Sequence, residues 1–336
     1  MWRETAKHDR NMKIFREELD GFLPDRILDF HVHIINQEAL PEGQSYSCAG
    51  HAAGKYDFDD LVEDSPDIYP DRDVYAVCFG FPKVEYNREA NDRYVAGHCD
   101  GKRFFPLRLF DPHETDPAAV RKDLVERGFL GIKPYLDYVR KDDPNDVEIR
   151  EMLPEWIMEI VDELGLIVML HIPRAQRLAD PLNQEQVVML SERYPNAKLV
   201  LAHVGRAYFL KNVVGNLANL KRLPNVWYDL AMLNNWEVLE HLFGTVPAEK
   251  ILYGTDIPIA LAPGKSVEIN NQYTYVTPMP WELSISDEHG KLVFTSFLYE
   301  ELRAIRKAVE RAGKGEDFVR GIFFENGMKL LNEAMG

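Results

Sequence analysis

The chain has 336 residues, 46% of them hydrophobic, enough for one large α/β barrel or two smaller domains. Its 39 basic against 55 acidic side chains give a formal charge of −16, which excludes the broad basic footprint that a nucleic acid or an anionic membrane requires and points to a small-molecule partner. Cys48, Cys78 and Cys99 are odd in number and lack CxxC spacing, so neither a disulfide framework nor a thiolate zinc site is indicated, and a reducing, cytoplasmic setting is expected.

The first ten residues are polar and of mixed charge, without the apolar core of a signal peptide, and no run reaches membrane-spanning length. Ile14, Phe15, Leu19 and Phe22, with charges between them, predict an amphipathic helix over about 4–22. It is read as an N-terminal helical extension, residues 1–25, outside a single domain over 26–336; a homo-oligomer is compatible with it. From Arg26 onward short apolar runs predict eight strands, over 27–33, 74–81, 103–110, 129–135, 166–172, 197–203, 226–230 and 250–256. Helical spacing, with capping-type Asn, Asp or Thr ahead of several segments, predicts helices over 86–98, 117–127, 148–164, 182–194, 208–223 and 235–243. The alternation indicates an α/β fold, a (β/α)8 TIM barrel, whose active site belongs at the carboxyl ends of the strands.

Two stretches interrupt the rhythm, 34–57 and 258–292. Loops this long are lids or binding loops, and both belong on the side of the site. The aromatic run 273–281 in the second would cover a ring or sugar face. Helices over 297–312 and 323–334 close the fold.

Five acid or imidazole groups stand at the ends of predicted strands: His31 and His33 on the first, His171 on the fifth, His203 on the sixth and Asp256 on the eighth. Side chains two apart on a strand share a face, so His31 and His33 present two imidazoles together. Imidazole and carboxylate donors suit zinc, with manganese, iron and cobalt accepting the same set. Arg174 and Arg206, just past His171 and His203, emerge at the same rim, where a planar guanidinium suits a substrate carboxylate. Arg108 on the third strand is a weaker candidate for that role. Asp229 ends the seventh strand and is expected to orient a ligand by hydrogen bonding. Asp29 shares the alternation of His31 and His33 but lies deeper, and a structural role is expected for it.

These residues, with Leu28 to His33, Gly128 to Lys133, Leu201 to Gly205, Tyr253 to Asp256 and the closing Phe324 to Leu331, resemble the amidohydrolase superfamily. The closer resemblance is to its amidohydrolase-2 branch, related to aminocarboxymuconate-semialdehyde decarboxylase. The resemblance implies that His31, His33 and Asp256 ligate a first metal. In mononuclear relatives the fifth-strand histidine completes that set and the sixth-strand histidine acts on the substrate; in binuclear relatives both bind a second metal. Lys133 ends the fourth strand, where binuclear members carry a carboxylated lysine, and Gly131 to Tyr135 resembles the matching stretch of dihydroorotases. Decarboxylase-like relatives lack this lysine. Its rival role is to pair, uncarboxylated, with a substrate carboxylate or a nearby acid.

The leading expectation is therefore a hydrolase of an amide, ester or lactone bond in a small carboxylated substrate, with one or two divalent ions and Asp256 relaying the proton of water. The alternative is a non-oxidative decarboxylase in which His203 or Asp256 protonates the carbon that loses carbon dioxide. A sugar-acid isomerase and a barrel without chemistry are weaker alternatives.

Overall fold

The computed structural model describes residues 9–48, 51–281, 284–287 and 289–336. The eight expected strands are present: β1 (Arg26–Ile34), β2 (Asp73–Gly80), β3 (Phe104–Pro106 and, beyond Leu107, Arg108–Phe110), β4 (Gly131–Pro134), β5 (Ile167–Leu170), β6 (Lys198–Leu201), β7 (Val226–Asp229) and β8 (Ile251–Leu252). All their pairings are parallel. The two halves of β3 join the arcs on either side, since Leu107 N donates to Cys78 O at 2.9 Å and Leu130 N donates to Pro106 O at 2.9 Å. The ring closes where Phe30 N donates to Tyr253 O, Asp256 N to His31 O and His33 N to Ile257 O, at 2.9, 2.9 and 2.7 Å. The fold is a (β/α)8 barrel.

Strands buried on both faces need continuous apolar runs, and Ile167-Val168-Met169-Leu170 is one of them. Leu28, Phe30, Phe79, Met169, Val200 and Leu252 fill the barrel interior, with Leu330 and Leu331 of the C-terminal helix in the same cluster. Ile27, Val32 and Ile34 belong to the larger core outside the strands, under the helices.

Six principal helices cover this outer face, α1 (Phe58–Ile68), α2 (Arg88–His98), α3 (Pro117–Glu126), α4 (Glu155–Leu164), α5 (Pro181–Arg193) and α6 (Trp236–Thr245), followed by α7 (Phe297–Arg311) and α8 (Asn326–Met335). Asp57 caps α1 in a capping box with Asp60, and Asp180 caps α5 by accepting from Leu182 and Asn183. The helix expected over 148–164 is divided into Ile149–Met152 and α4 around Pro154, which lacks the amide a continuous helix requires. The helix expected over 208–223 reduces to the turns Leu210–Val213 and Leu220–Arg222, with Gly215 between them at φ 80°. The N-terminal extension is a short helix, Asp9–Ile14, continued by a wider π turn, Phe15–Leu19; the expected residues before it lie outside those described.

Neither long stretch is a simple loop. The first contains a hairpin, Tyr46–Cys48 with His51–Gly54, and the second folds into a three-stranded sheet, β9 (Lys265–Ile269), β10 (Gln272–Thr277) and β11 (Ser284–Ser286). Among the described residues no helix is long and apolar enough to cross a membrane.

Candidate active site

The alternation that brings His31 and His33 together survives, but Asp29 does not share it. Asp29 pairs with Ala76 and Val32 with Cys78, so β1 carries one extra residue between them. This bulge lets Phe30 remain in the inner core while His31 also turns inward, and it places Asp29 on the other face. There Asp29 accepts from His31 N at 3.0 Å and Thr255 N at 2.9 Å, stitching β1 to the chain beyond β8. Burial raises its pKa to about 7, against the hydrogen bonds from Thr255 and His31.

His31, His33, Lys133, His171, His203 and Asp256 line one cavity of about 150 Å³ inside the carboxyl end of the barrel. Phe81, Tyr135 and Ile259 contribute to its wall. Ligand atoms of His31, His203 and Asp256 lie within 4.8 Å of one another. His33 joins them through Nε2, 3.1 Å from Asp256 Oδ1, while His31 Nε2 is 3.6 Å from the same oxygen. His171 stands at the end of β5 with its ring 5.3 Å from that of His203 and 4.6 Å from that of Tyr135.

Each of three imidazoles is fixed through its Nδ1. His31 Nδ1 donates to Asp229 Oδ2 at 3.0 Å, His33 Nδ1 to Gly80 O at 3.0 Å, and His203 Nδ1 to Ala231 O at 2.9 Å. The other nitrogen then faces inward with its lone pair available, as a metal-ligating histidine is normally held. Burial lowers the pKa of His31, His171 and His203, keeping them neutral.

A divalent cation fits these groups. Donors about 2.0–2.2 Å from one ion stand roughly 3–3.5 Å apart, close to the separations from Asp256 to His31 and His33. His31 Nε2 and His171 Nδ1 are buried without a hydrogen-bond partner, which is costly unless a further group engages them.

Lys133, on β4, is 1% exposed, and its Nζ has no hydrogen-bond partner. It sits 5.1 Å from the centre of the Phe79 ring. Burial pushes its pKa down to about 8, opposed by the charges of Asp229 and Asp256.

The turn after β6 is a left-handed one: His203, Val204, Gly205 and Arg206 have φ of 54°, 51°, 63° and 59°. For residues with a Cβ this region costs on the order of 1–2 kcal/mol each. The turn directs His203 into the cavity and returns Arg206 toward β5, where its Nη1 donates to Ile172 O at 3.1 Å. Arg174 is engaged by Asp180, Nε to Oδ2 at 3.0 Å. Arg108 is held away from the cavity by Glu114 and Asp123, each at 2.7 Å.

Sequence reasoning did not single out Phe81, Tyr135, Tyr208 or Arg177. The ring of Tyr208 is 5.9 Å from that of His203 and 4.6 Å from that of Tyr273 on β10. Of the aromatic run, Tyr273 therefore approaches the site, whereas Tyr275 and Trp281 pack against each other and Phe297. Phe81 and Tyr135 are the last residues of predicted strands and Arg177 and Tyr208 follow two others, and that placement was their signal in the sequence.

A family model described as amidohydrolase matches residues 28–277. No curated protein matches by sequence. Among solved structures, amidohydrolase 2 from Bifidobacterium longum subsp. infantis is 17% identical with a TM-score of 0.55, the alignment covering 92% of this chain and 99% of that one. A 5-carboxyvanillate decarboxylase from Sphingomonas paucimobilis is 13% identical with a TM-score of 0.54, covering 92% and 99%. A 2,6-dihydroxybenzoate decarboxylase from Rhizobium is 14% identical with a TM-score of 0.51, covering 93% and 99%.

Proposed function

The chain belongs to the amidohydrolase family, a family of metal-dependent enzymes, and from that premise we propose that it hydrolyses an amide, ester or lactone bond in a small carboxylated substrate. The observation that carries this reading is Lys133, whose amine lines the same cavity as His31, His171, His203 and Asp256 and has no partner of its own. Such an amine can add carbon dioxide and release a proton, leaving a carbamate with two oxygen donors.

In this reading His31, His33 and Asp256 hold one ion, and His171, His203 and carboxylated Lys133 a second. With Lys133 unmodified, His171 completes a single-ion set. Zinc is the ion we assign. A divalent ion supplies water with a pKa brought to about 7 and a polarised substrate carbonyl. Asp256 accepts the proton of the attacking water and returns it to the leaving group. Arg206 meets the substrate carboxylate, a role unmodified Lys133 could share. Arg174 braces the rim through Asp180.

A carboxy-lyase is the second reading, favoured by the fold shared with the two decarboxylases. In that case His203, beside Asp256, delivers a proton to the carbon that loses carbon dioxide.

The test is elemental analysis and native intact mass of protein produced with added zinc and bicarbonate. Two ions per chain and a carbon dioxide adduct, lost in Lys133→Ala, support the hydrolase. One ion with unmodified Lys133 overturns the two-ion centre and directs assays to decarboxylation, where carbon dioxide release replaces incorporation of labelled solvent oxygen. In either assay Asp256→Asn is expected to abolish turnover with metal still bound; substantial activity in metal-loaded Asp256→Asn removes it from the proton path.

A further inference from the structure

In an acidic chain an arginine without a carboxylate partner needs a reason, and two lie within reach of the Tyr208 hydroxyl beside this site. Arg174 pairs with Asp180 at 3.0 Å. Among the described residues neither Arg177 nor Arg206 has a carboxylate partner, and the Nε of each is buried without a hydrogen bond. The guanidinium carbon of Arg177 lies 4.3 Å from the centre of the Tyr273 ring and 5.3 Å from that of Tyr208. One tyrosine ring, Tyr208, thus separates Arg177 from His203.

The two arginines belong to one packed unit. Gly205, inside the turn that ends in Arg206, lies so close to the neighbour of Arg177 that a Cβ would sit 2.9 Å from Leu178 Cδ1. Asn183 Nδ2 donates to both Pro173 O, at 2.8 Å, and Arg177 O, at 2.9 Å, fixing the loop after β5. The sheet that carries Tyr273 is latched on the same face by its cross-strand partner Glu268, which accepts from Leu210 N at 2.9 Å and Asn235 Nδ2 at 2.8 Å. Segments far apart in sequence therefore converge on one cationic, ring-walled corner at the rim.

We propose that Arg177 and Arg206, walled by Tyr208 and Tyr273, bind a carboxylate of the substrate remote from the bond that reacts at the His/Asp centre, so that the substrate is an organic acid held at two points. This rests on the small-acid reading above and assigns Arg177 a role that sequence did not. A guanidinium fork matches a carboxylate's two oxygens, and the rings exclude the water that would weaken the pairing. A purely structural Arg177, stacked on its tyrosines, would have no preference for an anion.

Calorimetric titration of metal-free protein with benzoate and with benzamide, its uncharged counterpart, separates the two roles. Benzoate is expected to bind at least tenfold more tightly than benzamide. Arg177→Met and Arg206→Met should each weaken benzoate tenfold or more and leave benzamide unchanged, with Arg177→Lys intermediate because it keeps the charge and loses the fork. Equal binding of the two probes, or benzoate affinity unchanged in both Met variants, overturns the proposal. Should the Met variants lack a cooperative unfolding transition, Arg177→Lys and Arg206→Lys decide it by the same comparison. Because no metal is present, a protein that takes up no zinc defeats the hydrolase reading without affecting this outcome.

Discussion

Asp229 touches two candidate ligands at once. Its Oδ2 accepts from His31 Nδ1 at 3.0 Å, and its Oδ1 accepts from His203 N at 2.8 Å and Ala231 N at 3.1 Å. It fixes the ring of one histidine and the backbone of the other. Asp229→Asn keeps the shape and removes the charge, and the loss expected is about 10–100-fold in metal affinity. Competition with a chelator would measure it, and an unchanged affinity would remove Asp229 from the centre's support. That an acid at the end of the seventh strand holds a neighbouring side chain by hydrogen bonding was legible in sequence, as was the position of the five groups on the other strand ends, because each follows an apolar run that fixes its depth and face. Asp29 was misplaced because a bulge leaves no mark on local periodicity. Arg177 and Tyr208 were illegible for a different reason: their surroundings are made by Tyr273, which is remote in the chain.

At the scale of elements, eight apolar runs with helical segments between them were sufficient for the barrel, since parallel strands buried on both faces leave that pattern in any sequence. The lids were less legible. A sheet with half-exposed strands, such as β9 to β11, has only weak alternation to read. The same scale explains Gly131, which opens β4 two residues before Lys133. A Cβ there would lie 2.2 Å from Ile167 O, part of the neighbouring strand's backbone, which cannot yield without disturbing the β4–β5 ladder. Gly131→Ala is expected to destabilise the fold by about 1–3 kcal/mol, the usual penalty of overpacking. Thermal unfolding of the variant would show a lower midpoint; an unchanged midpoint would mean that the strands part more easily than their register implies.

Across the whole molecule, stability depends on groups outside the cavity that folding removes from water. Asp92 of α2 is fully buried and accepts from Leu109 N at 3.1 Å, beneath the network that Arg108 and Arg88 form with Glu114. This network ties β3 to its flanking segments, which is why Arg108, offered by sequence as a pocket residue, serves the scaffold. Burial raises the Asp92 pKa to about 7 from 3.8, against the opposing charges of Arg108 and Arg88. The folded state therefore holds this proton more tightly than the unfolded chain. As pH rises from about 4 to about 7 the unfolded chain loses the proton first, so this contribution to stability is present at low pH, declines across that window and is flat above it. Asp92→Asn, which resembles the protonated acid at every pH, should gain on the wild type across the same interval, by no more than roughly 4 kcal/mol. Denaturant unfolding of the two metal-free proteins between pH 4 and 8 measures that difference. A gap that stays constant would mean that Arg108 and Arg88 compensate the buried charge fully, and that the network, rather than a proton, keeps Asp92 inside.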